Sequence, residues 1–332
     1  MKKLFGKNAV LASFICTLLL VLTSLLPASA WRGDDSDGGP KFGPWSAPVN
    51  LGPPVSSILT GSPLQGADFN PFISRDGLSL YFSSDRPGGY GSFDIWVSHR
   101  ATVDDPWGPA ENLGPNVNTP FVENSPALSS DSRRLYFQSD RPFGFGNLDL
   151  YVSERRSKRD DLAWQAATNL GSNVNTSFDE FSATLFEEDE TGTTTLYFTS
   201  NRPGLGGNDI YASELNDDDE QVTFEPALLS SELSTPENDG SVVFRRDGLE
   251  VILSANRTGT IGGNDLWVRT RASTSDPWSP LVNLGPVVNT QFQENRPALS
   301  SKGTELYFGS NRPSPGGFDI YVCTRTKLKQ PD

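Results

Sequence analysis

A segment of similar sequence returns five times along this chain. Each copy ends in a short apolar run that opens with an aspartate, as in Asp94-Ile95-Trp96-Val97. The aspartates follow one another at intervals of 55, 60, 56 and 54 residues, and they are Asp94, Asp149, Asp209, Asp265 and Asp319. A period in this range, with short apolar runs and no helical pattern, is typical of repeat proteins whose units bury their faces against neighbouring units.

The second unit shows how each repeat folds. Glu123 to Leu128, Leu135 to Ser139 and Leu148 to Ser153 have the pattern of strands, and a Gly-rich turn at Pro142 to Gly146 separates the last two. A fourth strand opens at Trp164. Four strands that meander outwards form a propeller blade. The sequence therefore predicts an all-β fold, a five-bladed β-propeller of four-stranded antiparallel blades.

The order of the segments also predicts how the ring closes. An outer-strand segment, Trp45 to Gly52, precedes the first inner strand, and the last unit ends after its third strand at about Arg325. The last blade therefore lacks an outer strand of its own. We expect the N-terminal segment to supply this strand, because the pairing removes an exposed sheet edge.

The first thirty residues have the features of an export signal. Lys2, Lys3 and Lys7 precede an apolar stretch from Ala9 to Leu26, and Ala28-Ser29-Ala30 offers a small-residue cleavage site. We predict a signal peptide over residues 1–30, a flexible linker over 31–44, the propeller over 45–326 and a C-terminal tail over 327–332. An uncleaved membrane anchor is the alternative, because the apolar stretch approaches the length of a membrane span.

Charge and cysteine content narrow the classes of partner. The chain carries a net charge of −14, and loss of the signal leaves 24 basic against 41 acidic residues. Nucleic acid and anionic membranes are therefore poor partners, and no membrane insertion is expected after signal cleavage. Cys323 remains as a lone cysteine in a predicted strand, where we expect a buried structural thiol.

The repeat resembles that of a known family. Leu135-Tyr136-Phe137-Gln138-Ser139-Asp140-Arg141-Pro142, followed by Asp149-Leu150-Tyr151-Val152, is similar to the WD-like repeat of the TolB-type β-propellers. The resemblance implies an exported bacterial protein, periplasmic or extracellular, that binds envelope partners without catalysis. The name-giving protein has six blades and an extra N-terminal domain, so its particular partners are not carried over.

One acid recurs at the start of each predicted inner strand. Alignment of the repeats places Asp68, Glu123, Glu180, Asp239 and Glu294 at this position. Because inner strands line the central channel of a propeller, the five carboxylates would ring its mouth and need neutralisation. Ca²⁺ or another hard cation, or a cationic or sugar ligand, would supply it. The structural alternative is that each acid bonds backbone N–H groups or the repeated arginine.

The repeated arginines and glycines have mainly structural interpretations. The arginines are Arg86, Arg141, Arg202, Arg257 and Arg312, and we expect each to pair with the third-strand aspartate across its hairpin rather than form an anion-binding ring. In Gly-rich turns such as Pro203 to Gly207, the glycines are expected to supply positive φ, because no helix or Lys-Ser/Thr pair completes a phosphate loop.

Catalysis, if present, would use carboxylates. His99 is the only histidine, so Ser-His-Asp and Cys-His machinery lack support. Five-bladed glycoside hydrolases of the arabinanase and fructosidase types are similar in blade count and in where the acids fall, but no local motif of theirs matches this chain, so no residue is carried over from them. If the chain is an enzyme, the catalytic candidates are Asp68, Glu123 and Glu180, with Asp68 as base and Glu180 as acid. Phe69 and Phe181 follow two of these acids, where they would contact a sugar or belong to the core.

Three functional hypotheses follow from the sequence. The leading one is a non-catalytic platform at the cell envelope that binds a protein or glycan on the face carrying the acids. The alternative is a glycan-cleaving enzyme that uses the same carboxylates, with or without Ca²⁺. A purely structural envelope module is the third. Unequal carboxylates, with one or two freed from arginine partners, would favour an enzyme that uses this ring, whereas five equivalently paired carboxylates would contradict it.

Overall fold

A computed structural model describes residues 41–57, 66–158, 160–216, 222–314 and 317–329. The predicted signal peptide and most of the predicted linker lie outside these residues. The described residues form strands and turns without a helix, so none of them belongs to a helix that could cross a membrane. The strands, in chain order, are β1 (Val49–Asn50), β2 (Asp68–Ile73), β3 (Ser79–Ser84), β4 (Asp94–His99), β5 (Glu111–Asn112), β6 (Glu123–Leu128), β7 (Arg134–Ser139), β8 (Asp149–Glu154), β9 (Thr168–Asn169), β10 (Glu180–Glu187), β11 (Thr194–Ser200), β12 (Asp209–Asn216), β13 (Thr223–Phe224), β14 (Leu228–Leu229), β15 (Asn238–Phe244), β16 (Glu250–Asn256), β17 (Asp265–Thr270), β18 (Val282–Asn283), β19 (Glu294–Leu299), β20 (Glu305–Ser310) and β21 (Asp319–Thr324).

These strands build five antiparallel sheets, which are the five blades of a β-propeller. Blades one, two and four are formed by β2 to β5, β6 to β9 and β15 to β18. Blade three contains β10 to β12 and divides its outer strand between β13 and β14. Blade five has the order β1-β21-β20-β19. The predicted fold class is confirmed.

The N-terminal strand closes the ring as predicted. Val49 pairs with Val322 and Asn50 with Tyr321, so the first strand of the chain lies beside the last. Phe42 forms a further bridge to Lys327. Both ends of the described chain therefore contribute to one blade.

A backbone hydrogen bond joins each blade to the one before it. The N–H at the start of an inner strand donates to the carbonyl that precedes the third-strand aspartate of the preceding blade. The five bonds are Asp68 to Phe318 (2.8 Å), Glu123 to Phe93 (2.9 Å), Glu180 to Leu148 (2.8 Å), Asp239 to Asn208 (2.9 Å) and Glu294 to Asn264 (2.8 Å). The first of these bonds joins blade one to blade five.

The apolar core lies between adjacent blades. Tyr81 and Ile95 of blade one pack with Leu135 and Phe137 of blade two, and equivalent clusters fill each of the other four interfaces. Cys323 is fully buried in the cluster between blades four and five. No blade buries its faces alone, as expected for a repeat protein.

The outer strands are shorter than the sequence pattern predicts. Each contains only two paired residues, as in Glu111–Asn112 and Val282–Asn283. Proline lacks the N–H that a ladder needs, and Pro109 and Pro280 precede these two pairs. In blade one, the tryptophan that opens the outer-strand segment does not join the sheet and packs against an arginine side chain. Trp107 lies 4.4 Å from the Arg100 guanidinium carbon, measured to the ring centroid.

The glycines of the β11–β12 turn serve close approach rather than positive φ. Neither Gly204 nor Gly206 adopts a positive φ. A Cβ on Gly204 would lie 2.2 Å from Asp209 Oδ2, and a Cβ on Gly206 would lie 1.9 Å from the carbonyl oxygen of Glu237. The expectation of positive φ was therefore wrong for this turn. The missing side chains let the turn pack against the next blade.

Candidate functional site

The strand-start acids lie inside the blades. Asp68, Glu123, Glu180, Asp239 and Glu294 are each 0% exposed. Glu123 shows the common arrangement, in which four donors approach one carboxylate. Thr119 donates through its N–H and its hydroxyl, both at 2.6 Å, Ser139 through its hydroxyl at 2.9 Å and Arg141 through Nη2 at 3.0 Å. These bonds satisfy the charge inside the blade.

Each strand-start acid pairs with the repeated arginine of its own blade. The pairs are Arg86 with Asp68 (2.5 Å), Arg141 with Glu123 (3.0 Å), Arg202 with Glu180 (2.9 Å), Arg257 with Asp239 (2.7 Å) and Arg312 with Glu294 (3.0 Å). The arginine also packs on aromatic rings, as Arg141 does on Phe137 and Tyr151 at 5.2 and 4.7 Å. The five carboxylates are thus equivalently paired.

The arginine was expected to pair with the third-strand aspartate, and this expectation was wrong. That aspartate caps the turn before its own strand. Asp149 accepts the N–H of Phe145 at 2.6 Å and of Gly146 at 3.0 Å, and the Asn169 amide at 2.9 Å. These three donors hold the carboxylate at the turn. The arginine pairs instead with the acid of the inner strand.

Burial raises the pKa of two strand-start acids. Desolvation raises the pKa of Glu123 above its usual range, although its hydrogen bonds and Arg141 oppose the shift. Desolvation also raises the pKa of Asp239 to about 6, against the opposing effect of Thr235 and Arg257. Both groups lie in the protein interior, so the shifts arise from their structural surroundings.

The surroundings of the strand-start acids do not fit a bound cation. Among the residues that the structure describes, no three acidic, histidine or cysteine side chains come together to hold a metal ion. Each acid already has a guanidinium within 3.0 Å. A Ca²⁺ ion needs six or more oxygen ligands, which this arrangement does not offer. Binding of Ca²⁺ by this protein stays a prediction.

The open space of the channel lies further along the inner strands. A cavity of about 420 Å³ extends from the second residue after each strand-start acid to the turns beyond the strand ends, and the strand-start acids do not line it. We call this cavity the channel pocket. The lining residues that come first after the strand-start acids, which we call the channel ring, are Asn70, Ser125, Ser182, Ser241 and Arg296.

A local backbone irregularity turns the channel ring inwards. In all five blades the strand register shifts across this position, as between Asn124 and Ala127. In four of them the channel-ring residue also has a positive φ, with values of 53° at Asn70, 55° at Ser125, 60° at Ser182 and 55° at Arg296. A β-bulge of this kind re-aims a side chain and is common beside functional sites.

Charged residues surround the mouth of the channel pocket. The longest inner strand, β10, carries Glu187 at its end, and Asp189 follows in the turn. Glu187 lies 3.9 Å from Arg75, and Asp189 lies 3.7 Å from Arg246. These two carboxylate side chains are 40% and 60% exposed, in contrast to the strand-start acids. Asp131 also lines the pocket, where its carboxylate accepts the Ser129 hydroxyl at 2.6 Å and the Arg133 N–H at 3.0 Å within the β6–β7 turn.

A Ser-His-Asp contact occurs away from the channel. Ser79 Oγ donates to Asp161 Oδ2 at 3.0 Å, and His99 Nδ1 lies 3.2 Å from Ser79 Oγ and 3.4 Å from Asp161 Oδ2. A catalytic triad uses both ring nitrogens, one for the serine and one for the aspartate. Here both contacts use Nδ1. Tyr81 and Arg155 also bond Asp161, so this is a polar contact between blades one and two.

Sequence reasoning missed Glu187, Asp189 and Arg296. Glu187 and Asp189 belong to the acidic tract Glu187-Glu188-Asp189-Glu190, whose composition by itself indicates a solvated loop. Arg296 interrupts the repeat, because serine occupies the channel ring in three other blades. The aligned segments Glu123-Asn124-Ser125-Pro126 and Glu294-Asn295-Arg296-Pro297 differ at this position alone, so the signal was present in the sequence.

The fold is similar to that of several glycoside hydrolases. The α-L-arabinofuranosidase from Lactobacillus brevis has 17% identity and a TM-score of 0.53, and the match covers 77% of this chain and 90% of that one. The endo-arabinase from Bacteroides thetaiotaomicron also has 17% identity and a TM-score of 0.53, with coverage of 83% and 97%. The catalytic domain of a GH62 α-L-arabinofuranosidase from Coprinopsis cinerea has 12% identity, the same TM-score and coverage of 85% and 97%.

By sequence, no family model and no curated protein matches the chain. At these identities the structural similarity establishes the fold.

Two sequence-based predictions are corrected by this finding. The assignment to the TolB-type family was wrong, because the solved structures that resemble this propeller are those of arabinofuranosidases and an arabinase. The preference for a non-catalytic binding platform is corrected on the same ground, since these propellers are named as enzymes.

Proposed function

We propose that this protein is a glycan-cleaving hydrolase that binds its substrate in the channel pocket. The observation that carries the proposal is a pocket of about 420 Å³ at the centre of the propeller, with exposed carboxylates at its mouth. The fold is shared with enzymes named for cleaving arabinose-containing glycans. A neutral arabinan or an arabinofuranoside is accordingly the first substrate class to test. Export of the chain, predicted from residues 1–30, is part of the proposal.

Hydrolysis of a glycosidic bond needs two carboxyl groups, one to protonate the leaving oxygen and one to act as base or nucleophile. We assign these roles to Glu187 and Asp189, because both line the pocket and both are exposed. Arg75 lies 3.9 Å from Glu187, and Arg246 lies 3.7 Å from Asp189. Phe186 and Phe244, whose ring centroids are 5.1 Å apart, provide an apolar surface in the same pocket.

The roles predicted for Asp68, Glu123 and Glu180 stay a prediction. The structure gives a physical reason to rank them lower, because each is 0% exposed and bonded to an arginine. A catalytic carboxylate must reach the substrate or a water molecule beside it. The test therefore compares variants of the strand-start acids with variants of Glu187 and Asp189.

The test is turnover of the chain without residues 1–30 on aryl arabinofuranosides, linear arabinan and a wider polysaccharide panel. We expect Glu187→Gln and Asp189→Asn each to lower kcat by about 10²-fold or more, the usual contribution of an acid or base. The matched control is Glu188→Gln, which neutralises the adjacent acid of the same tract outside the pocket lining.

The possible results separate three outcomes. Loss of turnover in the Glu187 and Asp189 variants alone supports the assigned site. Loss in Glu180→Gln or Asp68→Asn, with folding intact by circular dichroism, moves the chemistry to the strand-start acids. Absence of turnover on every substrate contradicts the hydrolase proposal.

A further inference from the structure

Arg296 is the unusual member of the channel ring. The other four positions carry the small neutral residues Asn70, Ser125, Ser182 and Ser241. The Arg296 side chain extends towards blade three, where its guanidinium carbon lies 5.6 Å from the centroid of the Phe181 ring. The cation is therefore held inside the channel, between blade five and blade three.

Within the described part of the chain, Arg296 has no carboxylate partner. The repeated arginines of all five blades have one, and so do Arg155, Arg245 and Arg325. Its Nη1 atom is buried and makes no hydrogen bond to any described residue. Contact with Phe181 compensates a desolvated cation only in part. Burial lowers the pKa of Arg296 to about 10.

Two further unsatisfied groups belong to the same ring. The hydroxyls of Ser125 and Ser182 are buried and have no hydrogen-bond partner among the described residues. The backbone N–H groups of these serines are already used, by Ser83 Oγ and Gln138 Oε1, both at 3.1 Å. By contrast, Ser241 bonds Ser254 at 3.1 Å, and Asn70 donates to Asn124. Buried polar groups without partners call for an explanation, and here three of them belong to residues that line one pocket.

We propose that the channel ring binds an oxyanion through Arg296, with Ser125 and Ser182 as hydrogen-bond donors. The planar guanidinium fits a carboxylate, sulfate or phosphate through paired hydrogen bonds, and serine hydroxyls complete such sites. The local charge also fits an anion. Four arginines and three acids line the pocket, a net charge of +1 in a chain whose total is −14.

The oxyanion has two possible sources with the same chemistry. It is either a free inorganic ion or the carboxylate of a uronic acid in a glycan. The site does not depend on the hydrolase proposal, because binding is measured without turnover. A failure of one proposal therefore leaves the other standing.

The test uses calorimetry on the chain without residues 1–30. Thermal unfolding is measured in sodium sulfate, in digalacturonate and in the neutral disaccharide galactobiose, each at constant ionic strength set with sodium chloride. A ligand that binds only the folded state raises Tm with its concentration. We expect sulfate, digalacturonate or both to raise Tm, and galactobiose to have no such effect.

The decisive variant is Arg296→Ser, which installs the residue that blades two, three and four carry at this position. We expect it to fold, to unfold at a higher temperature than the wild type in chloride alone, and to bind the active anion at least tenfold more weakly by isothermal titration. Arg246→Ser is the matched control, since it removes an arginine from the pocket mouth whose side chain is 51% exposed. This control should retain anion binding.

The results either identify the source of the oxyanion or contradict the proposed binding site. A response to sulfate alone identifies a free oxyanion, and a response to digalacturonate but not galactobiose identifies a uronate. The proposal is overturned if neither anion raises the Tm of the wild type, or if Arg296→Ser responds as the wild type does. Arg296→Gln provides the same comparison if the serine variant does not fold.

Discussion

At the scale of single residues, the environment of each carboxylate determines its role. Glu180 and Glu187 lie at opposite ends of the same strand, β10. Glu180 is 0% exposed and bonded to Arg202, whereas the Glu187 side chain is 40% exposed at the pocket mouth. The first can stabilise the blade and the second can meet a ligand. Chemically similar residues thus differ because of burial and pairing.

The pair between Glu180 and Arg202 should stabilise folding as a unit. Glu180→Gln leaves Arg202 charged and without its partner, and we expect a loss of about 3 kcal/mol in the free energy of unfolding. The double variant with Arg202→Met should lose less than the sum of the two single variants, because neither charge is left unpaired. Urea denaturation measures both, with Glu188→Gln as control. Equal stability of Glu180→Gln and the wild type would contradict this role.

Asp239 should make stability depend on pH. Its folded pKa of about 6 exceeds the unfolded value near 4, so the folded state binds more protons between these values. The stabilising effect of protonation is complete below about pH 4 and is lost as the pH rises through 6. It amounts to about 3 kcal/mol.

The measurement is the free energy of unfolding at a series of pH values for the wild type and Asp239→Asn. Relative to the variant, the wild type should lose stability between about pH 4 and pH 6, since the asparagine does not titrate. A difference that stays constant across this window would show that Asp239 keeps an ordinary pKa.

At the scale of elements, the hairpin turn of each blade is shaped by its contact with the next blade. A Cβ on Gly146 would lie 1.9 Å from the carbonyl oxygen of Phe178. The same approach recurs at Gly91, Gly206 and Gly262. The turn therefore touches backbone that leads into the neighbouring inner strand, which fixes where that strand begins.

Gly146→Ala should force this contact apart. We expect the free energy of unfolding to fall by about 2 kcal/mol, as for other overpacked sites. Phe145→Ala is the control in the same turn, because its side chain is 49% exposed. The two variants are compared by urea denaturation. If Gly146→Ala is no less stable than Phe145→Ala, the close approach is not required.

At the scale of the whole molecule, the ring is closed by both ends of the chain. The β1–β21 pairing places the N-terminal strand in blade five, and the bond from Asp68 N to the carbonyl of Phe318 joins blade one to blade five. The Asn50 amide adds a bond of 2.9 Å to Asp319 Oδ2. Closure of this kind lets the five blades unfold together, since each interface depends on its neighbours.

Removal of β1 should weaken the entire ring. A chain that begins at residue 51 lacks the closing strand and exposes the edge of β21, so we expect Tm to fall by roughly 5 °C or more. A chain that begins at residue 41 keeps β1 and is the control. Differential scanning calorimetry compares the two. Identical Tm values would show that the pairing of β1 with β21 does not stabilise the ring.

The strand pattern was predictable because it is local. The sequence boundaries for β6, Glu123 to Leu128, agree with the structure, and the closing strand followed from the order of the segments. The outer strands were overestimated, because prolines such as Pro109 restrict their pairing after Trp107. Alignment of the repeats also predicted the positions of the strand-start acids along the chain.

The sequence by itself determined five blades, their strands and the ring closure, because the repeat period and the alternation of apolar runs are written in the chain. Only the tertiary structure decided that Arg86 pairs with Asp68, 18 residues away, rather than with Asp94. It alone left Glu187 exposed and, among the described residues, left Arg296 without a carboxylate partner. The physical reason is that side-chain direction and burial depend on which strands and turns meet in the folded ring, and spacing along the chain does not specify this.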